Sequence, residues 1–389
     1  MMNDIKYRYT NVRLNNQRVK IHHPFLFALM VIFFQACIVE YVPTGIEEVS
    51  DLLIVDGTIT DNESVFKLGR SIGLTEDFTG NETVNNASLF IETEDGERMD
   101  GVFRGKGLYV VPTGTLDVNK KYRLRISVEG EEYESTFLSP LLTPEIDSIS
   151  PMKKGKGEPV FMCVNTHDPL NQSRYFRWSY KEHWEVKAEL YANAELIDGV
   201  PHYFDLYSSN NIYYCWGKDS SRVILLASSE KLSENIISQK RLVEIPCDDD
   251  KLSILYYIAV EQIQLRKESY DYFNNLQKNI EQTGSIFTPI PSEMKGNIRS
   301  ATNPDLPVIG YIEVSTTTRK DLYIPEKQGL YEEPRRTCSL EITDDPTLSL
   351  PLFQYNPPEI LYAPTYCIDC RSKKYASKNK PDFWPTDHL

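Results

Sequence analysis

Residues 252–260 read LSILYYIAV. Leu252, Ile254, Tyr256, Ile258 and Val260 recur at every second position, and Leu255, Tyr257 and Ala259 make the alternate positions apolar as well. Side chains along a strand point to opposite faces in turn, so apolar residues in both sets predict a strand covered on both sides. The period then changes. Leu265, Tyr272, Phe273, Leu276 and Ile280 fall on one helical stripe, with Lys267, Asp271, Asn274 and Lys278 between them. Gly284 supplies a left-handed stop. After Phe287, Pro289 and Pro291 come GNI at 296–298 and GYIEVSTTT at 310–318, a second β-rich run. The expectation for 252–318 is a central strand, a helix over about 266–283 laid across it, and a returning strand.

Upstream, LLIVDGTIT (52–60), SVFKLGRSI (64–72), ASLFIET (87–93), GLYVV (107–111), KYRLRISV (121–128) and EYESTFL (132–138) read as short strands. Asp95-Gly96 between SLFIET and ERMDGVF is a hairpin signal. Short strands at this spacing, with no helical period among them, predict an immunoglobulin-like or transthyretin-like β-sandwich over 38–150. SPLLTPEIDSISP (139–151) reads as a connecting strand or linker.

Residues 151–389 predict a second, β-rich domain with one principal helix. VFMCVNTHD (160–168), SRYFRWSYKEHWEVKAEL (173–190), HYFDLY (202–207), RVILLAS (222–228) and RLVEIP (241–246) read as strands, and SEKLSENII (229–237) as a short helix. Prolines at 325, 334, 346, 351, 357, 358 and 364 predict a long irregular C-terminal segment. The fold class expected for the whole chain is mainly β.

The N-terminus carries an address. Lys6, Arg8, Arg13, Arg18 and Lys20 stand against a single Asp4, and FLFALMVIFF (25–34) and Gln35-Ala36-Cys37 follow. A basic region, a short apolar run and a small residue before a cut predict a secretory signal over 1–37. The run is about half the ~20 residues of a spanning helix, so a membrane-crossing anchor is not expected. Ala36 directly before Cys37 matches a bacterial lipoprotein signal, in which Cys37 is lipidated and becomes the first mature residue. The formal net charge of −14 argues against a nucleic-acid partner, because phosphate binding needs clustered Lys and Arg.

Of seven cysteines, Cys37 aside, Cys163, Cys215, Cys247, Cys338, Cys367 and Cys370 remain as candidate disulfide partners in an exported protein. Cys367 and Cys370 form a CxxC flanked by prolines and a basic run, a setting for a structural bridge rather than a redox pair. With no second CxxC and no HxxxH, zinc is not expected, and Asp248, Asp249 and Asp250 fit a solvated turn better than a calcium loop. No cofactor or metal is predicted. No catalytic signature such as HExxH or GxSxG occurs, and His183 in EHWE sits on a predicted strand. Trp178, Trp184 and Trp216 are the possible ligand-contacting aromatics, weighed against ordinary burial in strands.

The order of these features carries a resemblance: the lipoprotein-like Cys37, LLIVDGTITDNESVFKLGRS, TPEIDSIS, YFRWSYKEHWEV, the strand–helix unit, GSIFTPIP, GNI, GYIEVS and a CxxC tail ending PDFW. The chain resembles the Bacteroidetes outer-membrane lipoproteins grouped as domain-of-unknown-function family 4249, from about Asp51 to Trp384. The resemblance implies a gene neighbourhood with TonB-dependent outer-membrane transporters. It also implies a lipid-anchored position on the outer membrane, facing the cell surface. The function expected from it is non-enzymatic: an accessory that captures substrate, caps the barrel or helps assemble the transporter. A surface adhesin or envelope scaffold, and a surface glycan or peptide hydrolase, are the alternatives. The family carries no catalytic residues onto this sequence.

Overall fold

Along residues 53–135 the alternating patterns become strands β1 (Leu53–Ile59), β2 (Asn62–Arg70), β3 (Ser88–Thr93), β4 (Arg98–Asp100), β5 (Val102–Gly105), β6 (Leu108–Gly114), β7 (Tyr122–Val128) and β8 (Glu131–Ser135) in the computed structural model. The structure describes residues 51–71, 83–192, 194–197, 200–203, 211–282, 295–334, 338, 349–352 and 361–386. The signal-like segment with Cys37, and Gly284, lie outside the described residues. Strand β7 illustrates the local cause: Tyr122, Leu124, Ile126 and Val128 are buried while Arg123, Arg125 and Ser127 are not, the two-residue period of a half-covered sheet. The β3–β4 hairpin turns at Asp95-Gly96, where Gly96 takes φ 94°, the left-handed conformation that favours glycine.

Two five-stranded sheets face each other, and their shared core includes Leu53, Phe66 and Tyr109 from one and Ile91, Leu124 and Tyr133 from the other. Neither sheet is complete within residues 38–150. Strand β18 (Ile298–Ser300) pairs with β8, and β19 (Glu313–Val314) pairs in parallel with β1. Ile298, Val308, Ile312 and Val314 thereby join the sandwich core. The returning run after the helix therefore closes the N-terminal module, covering two edges that would otherwise expose unpaired backbone.

Between these parts lie β9 (Ile146–Lys153), β10 (Val160–His167), β11 (Tyr175–Lys187), the hairpin β12 (Ala194–Ile197) and β13 (Val200–Tyr203), β14 (Tyr214–Ser220), β15 (Leu225–Ser228), β16 (Ile236–Ile245) and β17 (Leu255–Leu265). Helix α1 (Lys267–Gln282) follows β17. After β19 come β20 (Thr317–Pro325), β21 (Ser349–Leu352), β22 (Leu361–Pro364), the one-turn helix α2 (Thr365–Ile368) and β23 (Ala376–Ser377). The C-terminal segment thus holds more regular structure than its prolines predict. The short helix expected over 229–237 does not form. Ser229 and Asn235 hydrogen-bond each other and take the backbone of Ser173 and Arg174 as partners, an alternative to helical pairing that short polar side chains favour.

Strands β20, β17, β11, β14 and β23 form a third large sheet, with β15 alongside the Tyr175 end of β11. As LSILYYIAV predicts, Leu255 through Val260 are all buried. Tyr256, Ile258 and Val260 share a core with Ile149, Val160 and Met162 of the three-stranded sheet β16–β10–β9. The other face differs from expectation. Leu255, Tyr257 and Ala259, with Ile254 just before the strand, are covered by Trp384 of the C-terminal segment, and Phe383 lies 4.9 Å from the Tyr257 ring. Helix α1 sits instead at the end of β17, where Tyr272 and Phe273 pack with Leu265, Tyr175, Leu226 and Tyr311. From β17 only the end of the strand, Leu265 with Ile263 packed against it, reaches that cluster, because the chain enters the helix one residue after the strand ends.

Candidate functional site

The place where the helix meets both sheets is also where the surface opens. A cleft of about 540 Å³ lies between the sandwich and the helix-bearing sheet. Ile54, Asp56 and Lys67 of β1 and β2 form one wall, and the strand register sets Lys67 opposite Asp56. Arg177 of β11, with Val223 and Ile224 leading into β15, forms another. Tyr272, Phe273 and Leu276 of α1 complete it with Tyr311. Gly310, also on the rim, makes the junction possible: a Cβ there would fall 2.5 Å from the backbone oxygen of Val55. Ile309 in turn bonds both Leu53 and Val55 through its backbone.

Arg177 is the group that gives the cleft a chemistry. Its guanidinium lies 4.5 Å from the centroid of the Phe273 ring, a cation–π contact. Its nearest carboxylate oxygen, Oδ1 of Asp56, stands at 3.6 Å, beyond good hydrogen-bond length. The side chain is only 23% exposed, yet it donates no hydrogen bond to any described residue. Burial pushes the phenols of Tyr272 and Tyr311 up to about 12, so both stay neutral across the physiological range. The cleft therefore combines three cations (Lys67, Arg177 and Arg222, the last already donating to Asp219 at 2.8 Å), one carboxylate, Ser179 and Ser221, and an aliphatic surface that includes Ile54, Val223, Ile224 and Leu276. It is suited to holding a small anionic ligand with an apolar body.

A smaller pocket, about 230 Å³, opens farther along the same sheet between β14 and the C-terminal segment, lined by His183, Trp216, Lys218, Asn379 and Lys380 among others; His183 falls on the same face of β11 as Arg177. Burial, then Lys218 and Lys181, lower the basicity of His183 and favour its neutral ring; that ring meets Phe383 edge-on at 5.2 Å. The ammonium groups of Lys378 and Lys380 each lie 5.7 Å from the Trp216 ring.

Of the three tryptophans considered as ligand contacts, only Trp216 is part-exposed and borders a pocket. Trp178 and Trp184 are core residues, the ordinary strand burial that stands against ligand contact. Trp178 touches the junction cleft but is buried, its Nε1–H donating to Oε1 of Gln262 at 2.8 Å. Trp184 packs directly on Gly217 beneath the Lys251 ammonium, which lies 4.4 Å from its ring. Both tryptophans fall on the inward face set by the two-residue alternation of β11. Arg177 lies on the opposite face with Tyr175 and Ser179. The alternation within YFRWSY already separates these two faces, and it is the signal by which Arg177 is recoverable from sequence.

The cysteines pair as Cys215–Cys370 and Cys338–Cys367. The CxxC is thus no bridge of its own: its two cysteines reach different, distant partners. Of the six candidates, Cys163 and Cys247 are free thiols. Cys163 sits on the middle strand of its sheet with Ser150 and Arg241 as cross-strand neighbours, so no cysteine lies beside it in the ladder. In the acidic run, Asp249 caps the turn by accepting from the Lys251 backbone N–H, and Asp250 pairs with Lys373. Among the described residues no cluster of three or more metal-ligating side chains occurs, and no helix is long and apolar enough to cross a membrane.

A protein-family model described as Domain of unknown function (DUF4249) matches residues 39–321. The match takes in the sandwich, helix α1 and both strands that return to the sandwich. No curated protein matches the chain.

Proposed function

The chain belongs to the DUF4249 family, a domain of unknown function, and from that premise we propose that it is a non-enzymatic, lipid-anchored outer-membrane protein. In this reading it captures a small cargo at the cell surface for a TonB-dependent transporter. The observation that carries the capture role is the junction cleft, where a largely buried Arg177 keeps its hydrogen-bonding groups free of described protein acceptors. Export is supported by two disulfides, one spanning 155 residues, since such bonds persist in oxidising compartments. The signal-like run ending at Cys37 supports the anchor.

The test is a mild-detergent pull-down of the tagged protein from outer membranes, with Cys37→Ala as control. Recovery of a TonB-dependent barrel in near-equal amount supports the accessory role. A membrane-bound protein that comes down alone counts against it and favours an adhesin or scaffold. Soluble, barrel-free protein in the wild-type preparation removes both the anchor and the transporter from the account.

A further inference from the structure

We infer that the junction cleft selects a ligand with a terminal carboxylate on an aliphatic body, of the size of a short hydrophobic peptide, and that Arg177 reads the carboxylate. This rests on the reading of the cleft as a capture site. Other arginines in the fold spend their donors on carboxylates of the chain: Arg319 on Asp321, Arg371 on Asp369, and Arg123, Arg125 and Arg299 on Glu134. Arg177 does not. A guanidinium presents its N–H groups as a rigid fork that matches a carboxylate through two parallel hydrogen bonds. Its contact over the Phe273 ring restrains the head group before any ligand arrives, which lowers the ordering cost of binding. Lys67, opposite Asp56, offsets the one carboxylate near the fork.

The walls select the rest of the ligand. Val223 is 65% exposed at the rim, and Ile54, Ile224 and Leu276 extend the aliphatic surface. The aromatic rings offer no free face: Tyr272, Phe273 and Tyr311 are 6%, 5% and 9% exposed, and Arg177 already covers Phe273. A sugar ring, which stacks on open aromatic faces, has no platform here, whereas an alkyl side chain finds matching surface. The volume lies within the usual range of about 300–1,000 Å³ for small-ligand sites.

The experiment is calorimetric titration of the full chain, purified in mild detergent, with tri-leucine, tri-leucine amide, octanoate and a neutral disaccharide. Tri-leucine should bind, and the amide should bind about tenfold or more weakly, the effect of losing one charge-assisted pair. Arg177→Gln should weaken tri-leucine about tenfold while leaving the amide unchanged. Lys67→Gln, an exposed change that leaves the packing intact, should weaken tri-leucine by a smaller factor. Octanoate matching tri-leucine supports the carboxylate–aliphatic class and assigns it to fatty acids; octanoate binding more weakly assigns it to peptides. Equal binding of acid and amide, preference for the disaccharide, or no binding to a cooperatively folded chain overturns the inference. So does Arg177→Gln without effect. If the pull-down recovers a barrel while no carboxylate binds, only the ligand assignment fails. If tri-leucine binds and no barrel is recovered, only the transporter role fails.

Discussion

Arg266, the residue before helix α1, and Glu313, on strand β19, form a buried ion pair that joins the two halves of the fold. The Arg266 guanidinium donates to Glu313 and to the backbone oxygen of Ser139, and its backbone N–H reaches Glu313 Oε2 at 2.9 Å. Burial pushes the Glu313 carboxyl up, against the pull of Arg266 and of the backbone N–H groups of Arg266 and Val314. Arg266→Ala strands that carboxylate and should cost about 3–5 kcal/mol. Urea unfolding followed by circular dichroism measures it; a loss near zero would mean that water or another cation replaces Arg266.

Gly217→Ala is expected to destabilise by about 1–3 kcal/mol, because overpacking forces neighbours off their preferred positions. Its Cβ would fall 2.2 Å from the Trp184 ring, and that ring is held in the core. Tryptophan emission and the unfolding midpoint should shift together.

Asp168 supplies a pH test. Burial alone would raise its carboxyl, but the N–H groups of Leu170, Gln172 and Ser173, bonded at 2.9, 2.7 and 2.6 Å, outweigh it and hold it below its ordinary 3.8. The folded state thus binds fewer protons than the unfolded chain, so this stabilisation is complete above 3.8 and disappears as pH falls through the folded value. Asp168→Asn should cost about 1–3 kcal/mol at pH 7. The difference from wild type should shrink on acidification, as read by denaturant titrations at several pH values.

Removing the two disulfides should not cost the same. Their separations are 155 and 29 residues, for which loop-closure entropy suggests about 5 and about 3.6 kcal/mol. Thermal unfolding of Cys215→Ala/Cys370→Ala against Cys338→Ala/Cys367→Ala tests the order.

Thiol labelling of the Cys37→Ala chain should find two free cysteines. Cys247 is part-exposed and should react in the native state. Cys163, whose thiol burial pushes up, should react only after unfolding. A native chain with no reactive thiol would contradict the pairing.

What the sequence determined by itself is what depends on residues two to four positions apart. The burial of both faces of LSILYYIAV, the helix at Lys267–Gln282 and the Asp95-Gly96 hairpin follow from periods and turn chemistry that short segments carry alone. Family membership was legible in the order of such segments. The tertiary structure alone decided which distant segments meet. It brought β18 and β19 back to close the sandwich, sent Cys367 and Cys370 to separate partners, and laid Trp384 rather than the helix over Tyr257. The cleft belongs to this second class. Asp56, Arg177 and Phe273 come from three elements, and nothing within one strand or helix encodes the 3.6 Å and 4.5 Å separations that bring them together. Pairing across so long a chain is set by which apolar faces and unpaired edges remain to be covered once the local elements exist, a competition that no short window of sequence contains.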